Sequence, residues 1–484
     1  MNAIAASSAP RQPIHESLRI AGEKVRGDRV IEVRHPYSGE VIGTVPKAGV
    51  DDVKRALRIA RGFQSSLMRH ERYKILMKAG STIASRRADL ARLITLESGL
   101  CLKDSQYEVG RAADVLLFAA NLALVDDGQV FSCDLTAHGK SRKVYTMKEP
   151  LLGAIAAITP FNHPLNQVIH KVAPAVATNN RIVLKPSEKT PLTAFALADI
   201  LYEAGLPPEM LSVLTGDPAE IADELLTSAD VDLVTFTGGV SIGKHIAAKA
   251  VYKRQVLELG GNDPLIVLED ADIEEAAALA VSGSYKNSGQ RCTAVKRMLV
   301  QESVADRFVE LLVEKTRAVK YGDPFDPMMD MGTVIDEPSA QRFEAVVSEA
   351  VADGAELLIG NVRRGALYSP TVLDRVTPNM RVVRHETFGP ISPVIRFKTV
   401  DEAIGISNGT AYGLSSSLCT NRMDMITRFV RELHVGSVNV CDVPGYRLEI
   451  TPFGGIKDSG LGFKEGVLES MKNYCNTKTY SLPW

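Results

Sequence analysis

"VDLVTFTGGVSIGKHIAAKAVYKRQVLELGG", residues 231–261, reads as strand, helix and strand in succession. "VDLVTFT" is β-branched, aromatic and apolar nearly throughout, the pattern of a strand covered on both faces. The glycine pair at 238–239 stops it, "SIGKHIAAKA" follows with helical spacing, and "QVLELGG" begins a second strand. Two strands joined through one helix in so short a stretch fit a parallel βαβ crossover.

Toward the N-terminus, "GAIAAITPF" (153–161), "RIVLKPS" (181–187) and "LSVLTG" (211–216) supply three further strands, separated by the helical patterns "NQVIHKVAPAVAT", "TAFALADILYEAG" and "AEIADELLTS". Five strands alternating with helices predict a parallel sheet covered on both faces, with a ligand site beyond the carboxyl ends of its strands. Upstream, "DDVKRALRIARGFQ" and "RRADLARLITLES" carry apolar residues three and four apart, so roughly 50–125 reads as helices packed on that sheet. After Gly261 the alternation resumes with "DPLIVLE", "DIEEAAALAVSGSY", "RMLVQE" and later "GSVNV", which predicts a second α/β lobe. "SRKVYTMKEP" (141–150) and "TKTYSLPW" (477–484) fit neither lobe. They read either as an arm pairing with another subunit or as a surface hairpin.

With 484 residues, 45% hydrophobic and 24% charged, the chain has material for two or three domains with their own cores. A net charge of -2 provides no overall field to gather nucleic acid or an anionic membrane, so neither is expected as a partner. The apolar run "VLLFAANLALV" (115–125) is well short of the ~20 residues that span a bilayer and reads as a buried helix. The opening "MNAIAASSAPRQP" lacks a continuous apolar segment ending at a cleavage site and reads as a loose tail. A cytoplasmic protein is expected. Six thinly spread cysteines, without a CxxC pair or finger-spaced histidines, speak against structural zinc or a disulfide framework, and no metal is expected.

Chemistry-bearing residues gather at one edge of the first sheet. Strand "RIVL" runs into Lys185, Pro186, Ser187 and Glu188, where an acid can accept bonds from ribose hydroxyls and a lysine can support sugar or phosphate. "GGVSIG" (238–243) opens a helix whose free N–H groups would attract a pyrophosphate, although a glycine pair there is more often just a turn and the GxGxxG fingerprint is absent. The last strand ends at Glu258 in "LELGGND". Cys292, directly behind Arg291 in "SGQRCTAVKR" (288–297), could on its own be a small core residue or a nucleophile.

Taken together, "TPFNHP", "KPSE", "FTGGVSIG", "LELGGNDP", "GQRC", "HETFGP" and "TPFGGIKDSGLGFKEG" resemble the aldehyde dehydrogenase superfamily, in that family's order from about residue 30 onward. The resemblance implies a Rossmann-type NAD-binding domain at 1–124 and 147–257, a second α/β catalytic domain at 258–466, and a β oligomerisation arm at 125–146 and 467–484, assembled as a homodimer or dimer of dimers. It makes Cys292 the nucleophile, whose thiolate attacks an aldehyde, forms a thiohemiacetal and, after hydride transfer, a thioester. Asn162 with the Cys292 N–H would hold the oxyanion, and Glu258 would activate the deacylating water. A glutamate at 258 favours hydrolysis over transfer of the acyl group to coenzyme A. For the cofactor, the resemblance implies contacts from Thr159, Pro160, Phe161, Lys185, Ser187, Glu188, Phe236, Gly239, Leu259, Gly260, Glu386 and Phe388. The carboxylate of Glu188 would repel a 2'-phosphate, so NAD is expected over NADP.

Arg111, His163, Arg291, Thr293 and Arg447 fall where the family lines its substrate funnel. So many cations around one funnel are costly to desolvate without an anion, and arginine forks match phosphonate, phosphate or carboxylate oxygens. The expected substrate is a small anionic aldehyde. Within the family the chain is most similar to bacterial phosphonoacetaldehyde dehydrogenases, which implies oxidation to phosphonoacetate in phosphonate breakdown. Succinate semialdehyde and non-phosphorylating glyceraldehyde 3-phosphate oxidation are the alternatives, and a binding protein that kept the fold without the chemistry is a third.

Overall fold

The computed structural model describes residues 12–125 and 128–483. Residues 1–11, which hold nearly all of the expected loose tail, lie outside the described residues, as do 126–127 and 484.

The five expected strands form the parallel part of a seven-stranded sheet, in the order Arg254–Glu258, Val231–Thr237, Ala154–Ile158, Ile182–Lys185, Leu211–Val213. Leu18–Ile20 and Glu23–Val25 extend it antiparallel. Register decides where the side chains of the edge emerge: Ile158 lies opposite Lys185 and Phe236, and Thr237 opposite Glu258. The strand ends therefore deliver Thr159, Lys185, Gly238 and Glu258 along one line. One face of the sheet packs on helices Arg69–Ser85, Leu102–Ala123, Asn166–Ala177 and Leu192–Ala204, the other on Val50–Gly62, Pro218–Thr227 and Val240–Lys249. The run at 115–125 lies mostly in Leu102–Ala123 and is amphipathic, with Val115, Leu116 and Ala119 buried and Leu117 and Leu124 exposed.

The second lobe is another seven-stranded sheet, ordered Glu356–Ile359, Thr371–Asp374, Ile391–Phe397, Val295–Gln301, Asp263–Val267, Ser415–Cys419, Ser437–Val440, parallel except for its first strand. Asp272 opens the helix Ile273–Tyr285 by accepting the N–H of Glu275 at 3.0 Å, a local stop to the strand before it. The chain passes between lobes through Leu259–Asn262 alone at this point, so the carboxyl edge of the first sheet faces the amino ends of two strands of the second.

"SRKVYTMKEP" and the C-terminal segment pair with each other. Lys143–Pro150 and Cys475–Leu482 are antiparallel over their whole lengths, Tyr145 stacks on Tyr480, and Val130–Ser132 adds a third strand. The middle strand runs past residue 146, the edge expected for the arm, because its ladder to Cys475 continues to Pro150. Residues 467–473 are helical, with Val467 and Ser470 buried, so the C-terminal strand begins only at Cys475. Among the described residues no helix is long and apolar enough to cross a membrane.

Candidate active site

The nucleophile segment is held by an unusual run of backbone. Asn287, Ser288 and Gly289 have φ of 60°, 53° and 70° in succession, a left-handed stretch that only surrounding bonds can sustain in the two non-glycine residues. Those bonds are present: the Asn287 N–H donates to Asp104 at 2.7 Å, and its side-chain amide donates to the Asn162 carbonyl at 3.0 Å. Gly289 has no alternative, because a Cβ would lie 2.4 Å from the Gly389 carbonyl oxygen. The result is a turn that presents Arg291 and Cys292, both half-buried, at the junction of the lobes.

Asn162 is buried, and its Nδ2 donates to the Gln290 carbonyl at 2.9 Å, which ties the expected oxyanion donor to the nucleophile's own segment and leaves its second N–H unused by that bond. Glu108 orders the far side of this loop by accepting the N–H groups of Leu165 and Asn166 at 2.8 and 3.0 Å. Burial pushes the Cys292 thiol up to about 11; Lys296 pulls it down, Asp263 and Glu386 add to the rise, and Arg447 opposes it. Without a reaction partner the cysteine therefore rests as the thiol at neutral pH.

Glu258 is buried with neither carboxylate oxygen hydrogen-bonded. Burial, then the charge of Glu465, push its carboxyl well above the ordinary range, against Arg447, Lys171 and Lys464. A carboxyl so placed holds a proton more readily than an exposed one, which suits a group that takes a proton from its surroundings. Behind it lies a buried pair, Lys171 Nζ to Glu465 at 2.6 Å, with Thr235 at 2.9 Å from the same ammonium.

Glycines set the spacing of the whole centre. A Cβ on Gly260 would lie 2.2 Å from Glu386 Oε2, one on Gly261 2.4 Å from the Cys292 carbonyl oxygen, and one on Gly454 2.4 Å from Glu258 Oε1. The segments carrying the three carboxyl and thiol groups approach one another only because no side chain intervenes.

The adenosine-side residues lie where a dinucleotide would lie along the sheet edge. Lys185 is buried and donates to Glu188 Oε2 at 3.2 Å, while Glu188 remains partly exposed. Gly239 caps Val240–Lys249, and a Cβ there meets nothing within 4 Å, so the helix N-terminus is approachable. Phe236 lies under the turn, its ring where a Cβ of Gly238 would be, and Leu259 packs on Gly243. Phe236 and Leu259 thus shape the cradle with their side chains. Thr159 is buried with its hydroxyl unpartnered, Pro160 follows it at the strand end, and Ser187 accepts the Lys189 N–H at 3.2 Å. On the other side, Glu386 accepts the Gly261 N–H at 3.1 Å, and Phe161 meets Phe388 edge-on at 5.9 Å. Phe388 itself has φ of 55°. These residues fit a nicotinamide dinucleotide: an open helix N-terminus for diphosphate, a carboxylate on each side for ribose hydroxyls, and a glycine against which Glu386 rests. When bound, the dinucleotide would supply a hydride acceptor.

The arginines converge, with a compensation the motifs do not reveal. Arg447 and Arg291 both feel the charge of Cys292 and of Arg111. Arg111 Nε donates to Glu449, which also bonds His170 Nε2 at 2.6 Å. Glu449 is held well below the ordinary carboxylate range, burial opposing and His170, Arg447 and Arg111 prevailing. Arg291 donates to the Gly283 carbonyl at 2.6 Å, yet its Nε is buried without a partner, as is Arg447 Nη1 beside the Phe453 ring. His163 Nδ1 lies 3.5 Å from Glu108 Oε2, and Thr293 Oγ1 lies where a Cβ of Gly445 would go. Motif reading does not find Glu449, His170, Glu108, Asp104 or Asn287. A His–Lys pair in the otherwise apolar "NQVIHKVAPAVA" was the one available signal of buried charge there.

Comparison with known proteins agrees with the fold and with an aldehyde dehydrogenase activity. The model of the aldehyde dehydrogenase family matches residues 23–480. The 3-sulfolactaldehyde dehydrogenase of Priestia megaterium is 40% identical, over 93% of this chain and 94% of its own. The lactaldehyde dehydrogenase of Methanococcus maripaludis is 37% identical, over 93% and 96%. Among solved structures, the NADP-dependent glyceraldehyde-3-phosphate dehydrogenase of Bacillus halodurans, complexed with NADP, superposes with a TM-score of 0.94 at 37% identity, covering 97% of this chain and 99% of that one. The chain belongs to the aldehyde dehydrogenase family, and the enzyme is a nicotinamide-dinucleotide-dependent aldehyde dehydrogenase.

Two expectations follow. Gly260→Ala should raise the Kd for NAD about tenfold or more by displacing Glu386, while Gly261→Ala, which strikes backbone, should lower kcat more than it weakens NAD binding. Calorimetric titration and steady-state rates separate them. In the enzyme without cofactor, alkylation of Cys292 by iodoacetamide should accelerate about tenfold per pH unit from about pH 7 to about pH 10. A plateau below about pH 8 would contradict a thiol raised by burial.

Proposed function

We propose that the enzyme oxidises a small aldehyde with an anionic tail to the free acid with NAD, and that the aldehyde is phosphonoacetaldehyde. The observation that carries the reading is the set Arg111, Arg291 and Arg447 around Cys292, two of them with a buried N–H that has no partner. Glu449 offsets one positive charge, which leaves an excess suited to an anion. A tail with three oxygens can accept from several guanidinium N–H groups at once, which a carboxylate does less well.

In this reading the Cys292 thiol gives its proton to surrounding water as the sulfur bonds the carbonyl carbon, and the carbonyl oxygen takes negative charge beside the Asn162 amide and the Cys292 N–H. With a bound dinucleotide supplying the hydride acceptor, Cys292 would be left carrying the acyl group as a thioester. Glu258 then takes a proton from water, whose oxygen attacks the acyl carbon and expels the thiolate. Water is the acceptor because Glu258 is buried next to Gly454 with a free carboxyl edge. We assign Lys185 and Glu188 to the adenosine ribose, where the acid disfavours a 2'-phosphate.

The lobes divide the work, the first holding NAD and the second supplying Cys292. The three-stranded sheet of 130–132, 143–150 and 475–482, whose outer strands each keep a free edge, is the oligomerisation arm of a homodimer or dimer of dimers in the cytoplasm. All six cysteines are free, as a reducing compartment would keep them.

The test is a panel of phosphonoacetaldehyde, 3-sulfolactaldehyde, glyceraldehyde 3-phosphate, succinate semialdehyde and propanal, each with NAD and NADP, followed by absorbance of the reduced cofactor. Phosphonoacetaldehyde should exceed propanal in kcat/KM by about a hundredfold, from charge-assisted bonds worth roughly 1.5–3 kcal/mol each. Arg291→Ala should cut the phosphonate reaction about ten- to a hundredfold and spare propanal. Propanal equal to every anion would refute the tail site; a sulfonate or phosphate ahead of the phosphonate would keep the site and change the substrate.

A further inference from the structure

Lys296 is the fourth residue after the nucleophile, its side chain 1% exposed. A lysine so deeply placed keeps its charge only if its three N–H groups find acceptors. They do: Nζ lies 2.6 Å from the Arg291 carbonyl, 2.8 Å from the Cys292 carbonyl and 3.1 Å from Glu386 Oε1. The same ammonium lies 5.6 Å from the Phe388 ring centroid.

We propose that Lys296 is a positioning residue for the reaction: one ammonium fixes the backbone of the nucleophile to the carboxylate of the cofactor side and places a positive charge beside the thiol. Its part toward the dinucleotide rests on the assignment of Glu386 to the cofactor; its part toward the thiol does not. The geometry favours this over simple filling of the core. Two of its three contacts are hydrogen bonds to the carbonyls of the peptide links on either side of Cys292, so they determine how that turn sits. The third holds one oxygen of Glu386, with the Gly261 N–H on the same oxygen, and leaves Oε2, against Gly260, to accept from elsewhere.

Cys292 is faced by charge from several elements: Lys296 on its own segment, Asp263 from the adjacent strand, Glu386 from the loop after 381–384, and Arg447 from the loop after 437–440. Arg291 beside it also couples to the thiol. Of the two cations that draw the thiol toward ionisation, Lys296 acts the more strongly.

Lys296→Gln, which keeps two donors without the charge, and Lys296→Met, which keeps neither, test this in the full enzyme. The readouts are the pH dependence of iodoacetamide alkylation without cofactor, the Kd for NAD by calorimetry, and the thermal midpoint. For Lys296→Gln, alkylation at about pH 8 should slow about tenfold as its profile moves to higher pH, and NAD should bind about tenfold more weakly. Lys296→Met should show both effects more strongly. A shifted alkylation profile with unchanged NAD affinity supports the lysine's role at the thiol and removes Glu386 from the cofactor site. A profile that overlays the wild type overturns the proposal, whatever the Kd does. If neither variant folds, the lysine belongs to the core and the proposal fails as well.

Discussion

Two adjacent glycines govern this active site. Leu259–Asn262 carries the chain from the carboxyl edge of one parallel sheet to the amino edge of another, and on the way Gly260 passes against Glu386 and Gly261 against the Cys292 carbonyl. Any Cβ at either position would push a catalytic or cofactor-side group by more than an ångström to regain ordinary van der Waals separation, because the present distances are 2.2 and 2.4 Å. The closeness of Glu386 and the Cys292 segment is thus a backbone property, settled before any side chain is chosen.

That closeness has an electrostatic consequence. Packing Glu258, Glu386, Asp263 and Glu449 with Lys171, Lys296, Arg111, Arg291 and Arg447 around one crevice makes each group's ionisation depend on the others. The pattern is uneven. Glu449 has strong partners and is held below the ordinary carboxylate range, whereas burial lifts Asp263 to about 8 and, with the charge of Glu465, raises Glu258 well above that range. The acid held low belongs to the arginine cluster, and Glu258, the proposed general base, has no hydrogen-bond donor of its own. Structural and chemical carboxylates are told apart by their surroundings.

The fold was legible because its signal is local. Apolar strands, helical spacing and glycine stops along 153–261 follow the period of each element, and a short βαβ connection leaves little choice of topology. Cys292, Glu258 and Asn162 were singled out through motif resemblance, since each sits in a short distinctive string. What escaped was pairing at a distance. Glu449 finds Arg111 across more than three hundred positions, Glu108 reaches Leu165, and Asp104 supports Asn287, and no local pattern marks such contacts. That the two alternating segments would meet was expected, but their register was not: only the structure sets Lys143–Pro150 residue by residue against Cys475–Leu482.

The arginine funnel shows why charge counting from sequence overstates what a ligand must neutralise. Four cationic positions suggested a site waiting for a multiply charged anion. In the folded chain Glu449 occupies Arg111 through Nε, a backbone carbonyl occupies one Nη of Arg291, and Glu108 faces His163. These bonds hold the guanidinium planes in place and leave particular edges, Arg291 Nε and Arg447 Nη1, without partners. An anion then meets donors whose orientation is already fixed, so less rotamer freedom is lost on binding than with unsupported side chains. The internal carboxylates lower the net attraction for any anion, but the fixed donor directions reward one whose oxygens fit. If an anionic tail binds here as proposed, discrimination among phosphonate, sulfonate and carboxylate would be set by the angles between unpaired N–H groups more than by the total charge of the funnel.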